Sequence, residues 1–223
     1  MKFLVATRSR PKLEEIRRLL GSLPGVDLVA PGDMGLDPIP EEDGIEVHET
    51  FEENALAKAH WFHARTGLPT VADDSGLEVD ALSGAPGVRS RRFAPPAFRR
   101  PDESEDAANM RYLLDRLVEV DDRNRGARFV CAAAVVGLDG GPWVVRGEAV
   151  GRILREGRGR GGFGYDPAFL DPAFGRTFAE LTATEKEGRS HRGEAFRKLR
   201  ERLLATVAGG SVDGLAQGGT LHG

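Results

Sequence analysis

The residues with the clearest chemical potential are two adjacent carboxylates, Asp73 and Asp74, followed by Ser75 and Gly76. Acids at a strand end, before a small turn residue, suit a hard cation such as Mg2+. That ion takes oxygen ligands, keeps several of its waters and bridges to substrate phosphates. The same four residues also read as a plain Asx-type turn that ends a strand. Taken alone, the two readings weigh about equally. Further acids, Glu41, Glu42, Glu46, Glu49, Glu52 and Glu53, crowd the preceding segment. So much like charge beside an aspartate pair is repulsive without a counter-cation, which favours the metal.

Three other groupings carry chemistry. Lys12 opens a helical pattern just after the first apolar run. A helix N-terminus favours anions and a lysine adds a full charge, so phosphate is the natural guest; a solvated surface lysine is the plainer alternative. The P-loop pattern is missing. In Gly161-Gly162-Phe163-Gly164-Tyr165-Asp166-Pro167, the glycines let the backbone approach a ligand and leave the Phe163 ring face open to a base. An ordinary flexible loop is one alternative. An arginine-glycine RNA-binding stretch is another, but Arg158 and Arg160 make a short one on an acidic chain. Lys186, Ser190, His191 and Arg192 crowd the start of a final helix, where cations oppose the dipole. That placement predicts a bound anion or polar ligand. Arg197, Lys198, Arg200 and Arg202 alternate with Glu194 and Glu201 as a solvated face. His60 and His63 lack metal-ligand spacing and read as surface; Trp61 and Phe62 read as core or intersubunit contacts.

The elements that must position these residues follow an α/β pattern. Lys2–Thr7 reads as a buried strand and Lys12–Leu20 as an amphipathic helix, with a second strand at Asp27–Ala30. Pro31 to Glu49 is a long acid-rich loop, a kind more often functional than idle. Thr50-Phe51-Glu52-Glu53 is a capping box for a helix that stops at Gly67. Pro69–Ala72 is a short strand ending in the acidic turn, and Leu77–Leu82 resumes it. Ala108–Val120 is a helix. Phe129–Leu138 and Trp143–Leu154 are long strands joined at Asp139-Gly140-Gly141. The expectation is one α/β domain over residues 1–207 and a flexible Gly-rich tail over 208–223.

The chain has 223 residues, 40% hydrophobic and 30% charged, with a net charge of −4, which suits a globular protein. A pI near 5.8 gives no global pull toward nucleic acid or anionic lipid. The single Cys131 points to a reducing compartment and reads as a small buried hydrophobe. With no leader-like start and no membrane-length apolar run, the expected location is the cytoplasm.

In this order, the segments resemble the inosine-triphosphate pyrophosphatases, which hydrolyse inosine, deoxyinosine and xanthosine triphosphates. The match runs through Ala6-Thr7 with Lys12 and Glu15, then Thr50-Phe51-Glu52-Glu53-Asn54-Ala55 with Lys58-Ala59. It continues through Ala72-Asp73-Asp74-Ser75-Gly76-Leu77, Val79-Asp80-Ala81-Leu82 and Gly84-Ala85-Pro86-Gly87-Val88. It ends with Gly162-Phe163-Gly164-Tyr165-Asp166-Pro167, Ala179-Glu180-Leu181, Glu185-Lys186 and Ser190-His191-Arg192.

The resemblance implies a bent mixed β-sheet with surrounding helices, two lobes about a central cleft, and a homodimer. It implies hydrolysis of non-standard purine nucleoside triphosphates to monophosphate and pyrophosphate, with Mg2+ as cofactor. Asp74 is then the catalytic carboxylate, which holds metal and orients or deprotonates the attacking water. Spacing from Thr50 puts the second metal carboxylate at Glu46, although Glu41-Glu42-Asp43-Gly44 also looks like that motif. Thr7, Ser9, Lys12 and Ser75 fall in the substrate-binding set, with Lys12 on phosphate. Phe163 stacks on the base, and Gly164, Tyr165, Asp166, Lys186, His191 and Arg192 complete recognition. Arg8 and Ser9 stand where the family usually has Gly and Asn, and Arg91 stands where it usually has alanine. A Maf-type pyrophosphatase and a catalytically idle nucleotide sensor are the competing readings.

Overall fold

The apolar run Lys2–Val5 (β1) lies one strand in from the edge of a seven-stranded mixed sheet in the computed structural model, which describes residues 1–21 and 23–209. The other strands are Asp27–Val29 (β2), Thr70–Val79 (β3), Gly126–Val136 (β4), Trp143–Ile153 (β5), Phe169–Asp171 (β6) and Arg176–Thr177 (β7). Their order is β2-β1-β3-β4-β5-β6-β7. β1 pairs in parallel with β2 and β3, and every later pair is antiparallel.

Five α-helices accompany the sheet: Arg10–Leu20 (α1), Phe51–Thr66 (α2), Glu105–Arg116 (α3), Ala183–Arg189 (α4) and His191–Gly209 (α5). Side chains of a strand alternate between faces, and the core follows that alternation. Val71, Cys131, Ala133 and Val135 pack with Ile16 and Leu20 of α1 and Phe196 and Leu199 of α5. Ala72, Ala132, Ala134 and Val136, of opposite parity, pack with Phe51, Ala55, Ala59 and Phe62 of α2. A third cluster, with Leu113 and Phe169, fills the far end of the long strands.

Several local expectations hold. The Thr50 hydroxyl accepts from the Glu53 amide at 3.2 Å, and α2 stops at Gly67, whose φ of 67° suits a residue without a Cβ. Ser190 caps α5 by accepting from the Gly193 amide at 3.0 Å. Other boundaries differ. Asp73-Asp74-Ser75-Gly76 is not a turn: it is the middle of β3, paired with Val130, Cys131, Ala132 and Ala133 of β4. The strand ends at Val79, and a short 3-10 turn, Asp80–Leu82, follows it. α3 begins at Glu105 behind the Ser104 cap and ends at Arg116. Lys186 sits on the separate helix α4, capped by Thr182. His63 is half-buried, with Nδ1 2.7 Å from the Leu68 carbonyl oxygen. Apart from the last turn of α5, the Gly-rich tail lies outside the described residues. No helix among those residues is long and apolar enough to cross a membrane.

α5 crosses β5 at Gly147. A Cβ built there would overlap the His191 carbonyl oxygen and the Ala195 amide nitrogen, two backbone groups that cannot swing aside. Gly147→Ala should therefore cost about 1–3 kcal/mol of stability or more, read as a lowered urea midpoint; an unchanged midpoint contradicts this packing.

Candidate active site

β1 pairs only with Thr70 and Val71 of β3, so Asp73 and Asp74 lie beyond its carboxyl end. Open α/β sheets bind ligands at such carboxyl edges. The strand pleat sends the two acids to opposite faces, so they do not form one joint turn-borne pair.

Asp73 faces α1 and α5 and is fully buried. Its carboxylate lies 3.2 Å from Lys12 Nζ, 3.3 Å from Arg192 Nη2, and accepts from the Ser75 hydroxyl at 3.0 Å. Burial works to raise its pKa, but Lys12, Arg192 and Lys58 outweigh it and hold the group well below the usual carboxylate range.

Asp74 faces α2. Its Oδ2 accepts from Asn54 Nδ2 at 3.0 Å and its Oδ1 from the Ser75 amide at 2.9 Å. Burial pushes its pKa up to about 6; Lys12 and Lys58 oppose the rise, and the charge of Glu46 adds to it. Glu46 is ion-paired with Lys58, one helical turn beyond Asn54 on the same face of α2. Glu42 is engaged elsewhere, accepting from Arg8 Nε at 3.0 Å and Nη2 at 2.6 Å. Of the two acids that fit the second metal motif, Glu46 is thus the one whose charge bears on Asp74.

Among the described residues no three His, Cys, Asp or Glu side chains converge as a metal cage. Asp74 and Glu46 are two carboxylates near enough for the charge of one to act on the other. Mg2+ uses such pairs, leaving the other coordination positions to water and phosphate. A divalent cation would offset both the burial of Asp74 and the added repulsion from Glu46.

Beside them, α1 starts at Ser9, whose hydroxyl makes no capping bond. The Ser9 amide donates to Thr7 Oγ1 at 3.2 Å. The Ser9 hydroxyl is thus unused in capping at a helix N-terminus, a position that favours anions.

The loop at 161–167 folds around Asp166, which accepts from the Phe163 amide at 2.8 Å and from Lys186 Nζ at 2.7 Å. Gly162, at φ 71°, leaves room for that carboxylate where a Cβ would collide with it. Phe163 is half-buried, with Lys186 Nζ and Arg192 Cζ at 4.7 and 5.7 Å from its ring centroid. The Gly164 amide donates to Asp106 at 2.9 Å. Tyr165 belongs to the core rather than to a ligand surface: it is buried and its hydroxyl donates to the Ser90 carbonyl at 2.7 Å.

His191 stacks on Phe129 at 4.8 Å, and its Nδ1 is buried without a partner. Burial, with Arg192 and Lys186 nearby, keeps the ring neutral. The cations near α5 have carboxylate partners within the chain. Lys186 lies 3.1 Å from Glu15 as well as near Asp166, and Arg192 pairs with Glu15 and Asp73. Glu15, Asn54 and Lys58 gain roles that sequence reading left unassigned. Their helical offsets, three residues from Lys12 to Glu15 and four from Asn54 to Lys58, were the available signal.

Comparison with known proteins agrees with this architecture. A sequence model of the Ham1 family matches residues 3–202, and the chain belongs to that family. It is 51% identical over 199 residues to a dITP/XTP pyrophosphatase of Mycolicibacterium paratuberculosis, covering 88% of this chain and 92% of that one. A HAM1 protein from Coxiella burnetii superposes with a TM-score of 0.78 at 37% identity, covering 92% of this chain and 99% of that one. A nucleoside-triphosphatase/dITP/XTP pyrophosphatase from Mycobacterium abscessus gives a TM-score of 0.67 at 46% identity, covering 89% and 98%.

Arg192 is 1% exposed, so its loss strands Asp73 and Glu15. Arg192→Ala should lower stability by about 3–5 kcal/mol in urea titration, and adding Asp73→Asn should restore part of the loss. A variant as stable as the parent contradicts the buried network.

Proposed function

We propose that the chain hydrolyses deoxyinosine, inosine and xanthosine triphosphates to the monophosphate and pyrophosphate, with Mg2+ as cofactor. The observation that carries this reading is Asp74: a buried carboxyl raised to about 6 beside Glu46, with Lys12 and Lys58 close by. The names of the similar proteins support the same substrate class. The competing Maf-type and sensor readings have no observation of their own in their favour.

Water attacks the α-phosphorus; a new P–O bond forms and the α–β anhydride bond breaks, releasing pyrophosphate. Asp74 is the general base: its carboxylate keeps lone pairs free of Asn54 and the Ser75 amide, and one of these takes the water proton. Held by Asp74 and Glu46, Mg2+ would supply Lewis-acid stabilisation of phosphate charge. Lys12 and the Ser9 hydroxyl bind phosphate oxygens at the start of α1, and Phe163 stacks on the purine. Arg192 has five donors. Four bonds go to Asp73 (twice), Glu15 and Ser75, which leaves one N–H on Nη1 for the 6-oxo group of the base. We further propose a homodimer, as the family resemblance implies, and a cytoplasmic location, as the single cysteine suggests.

The deciding experiment is a nucleotide panel with Mg2+ and product identification. Deoxyinosine triphosphate should give monophosphate and pyrophosphate. Adenosine triphosphate, whose 6-amino group leaves a donor unpaired, should be disfavoured by ~10⁴-fold. Turnover of pyrimidine or methylated substrates alone marks Maf-like chemistry, and binding without turnover marks a sensor.

Asp74→Asn cannot take the proton and should lower kcat roughly a hundredfold or more while circular dichroism stays unchanged. A near-normal rate removes Asp74 from the mechanism. Lys12→Ala, which loses a contact present in ground and transition states alike, should chiefly raise KM. An unchanged KM at physiological salt returns Lys12 to a structural partner of Asp73.

A further inference from the structure

Asn54 is buried in the first turns of α2, 1% exposed. Asparagine is a poor helix former because its amide competes for backbone groups, so its position inside a helix needs a cause. Its Oδ1 accepts from the His48 amide at 2.9 Å. Its Nδ2 donates to the His48 carbonyl at 3.3 Å and to Asp74 Oδ2 at 3.0 Å. One side chain thus grips residue 48 by both backbone groups and delivers its last N–H to the carboxylate of Asp74.

His48 is two residues beyond Glu46. We infer that Asn54 is a positioning residue that fixes the Asp74 carboxylate relative to the segment carrying Glu46, a role that rests on the proposed work of those two acids. Tying down residue 48 alone calls for two bonds; the third goes to Asp74 and has no use in anchoring the loop. With Asn54 on Oδ2 and the Ser75 amide on Oδ1, each oxygen has one donor. The plane of the carboxylate is therefore set, and the remaining lone pairs are held in fixed directions. Partners that orient metal-binding carboxylates in this way are commonly worth 10–100-fold in activity or metal affinity.

The test uses Asn54→Leu, which keeps the shape and removes all three bonds, and Asn54→Ser, whose hydroxyl stops one bond short of Asp74. If the leucine variant fails to fold, the serine variant carries the measurement. With deoxyinosine triphosphate, kcat should fall about 10–100-fold with KM within about threefold of the parent. In nucleotide-free protein, Mn2+ binding followed by electron paramagnetic resonance should weaken about tenfold or more. Lowered thermal stability with kcat and Mn2+ affinity intact would make Asn54 a loop anchor only and overturn the inference. A parent protein that turns over without any metal sinks the metal reading instead, and the kcat comparison then decides Asn54 alone.

Discussion

An extended strand cannot aim two consecutive side chains in one direction, and that limit shapes everything around Asp73 and Asp74. β3 is covered on one face by α1 and α5 and on the other by α2. Each acid must therefore find its partners in a different helical layer. Burying a carboxylate costs several kcal/mol unless charge and hydrogen bonds offset it. Asp73 obtains two cations and a hydroxyl. Asp74 obtains an amide side chain, its neighbour's N–H and the repulsion of Glu46. Neighbours in sequence thus become chemically unlike. Asp73 is held as a permanent anion that fastens helices, while Asp74 is the group left able to bind a cation or a proton.

Asp73 also begins a chain of charges that brings distant parts of the polypeptide to one place. Arg192 joins it to Glu15, Glu15 meets Lys186, and Lys186 meets Asp166 inside the glycine loop. The loop is tied to β3 a second time: Tyr165 donates to the Ser90 carbonyl, and the Ser90 hydroxyl accepts from the Leu77 amide at 2.8 Å. Gly76 allows this approach, since a Cβ there would overlap Ser90 and the Gly87 carbonyl. The aromatic wall at Phe163 and the carboxylate at Asp74 are therefore set from the same strand. For the proposed nucleotide, a spacing set in advance would lower the ordering cost of binding.

Signals confined to a few residues were legible in the sequence. The Thr50 cap, the Gly67 stop and the long hairpin each depend on local chemistry, and each sits where its residues put it. The acidic segment misread as a turn because Asp, Ser and Gly are poor strand formers; pairing along the full length of β4 overrides that preference. The basic residues near α5 have a partner that no local signal shows. Their carboxylate partner, Glu15, is 171 residues from Lys186 and 177 from Arg192. Only the fold places that acid beside them, and a dipole argument confined to one helix cannot see it. The family resemblance named Asp74 and Glu46 but carried no account of Asn54, whose role depends on the path of the chain at His48.

Arg8 shows how a departure from the usual family pattern can be absorbed without disturbing the chemistry beside it. Where a glycine would have no side chain, Arg8 donates to the carbonyls of Leu36 and Asp37 and to both oxygens of Glu42. It thereby fastens the acid-rich loop to the turn between β1 and α1. A bidentate arginine pair imposes direction as well as attraction, and this one draws Glu42 to Arg8 while Lys58 keeps Glu46. The loop's two candidate acids are so divided between a strap and a site. Lys12 pairs instead with Asp73, and the Ser9 hydroxyl makes no capping bond at the start of α1. The extra arginine thus orders the loop that presents Glu46 and adds no competing contact at Asp74.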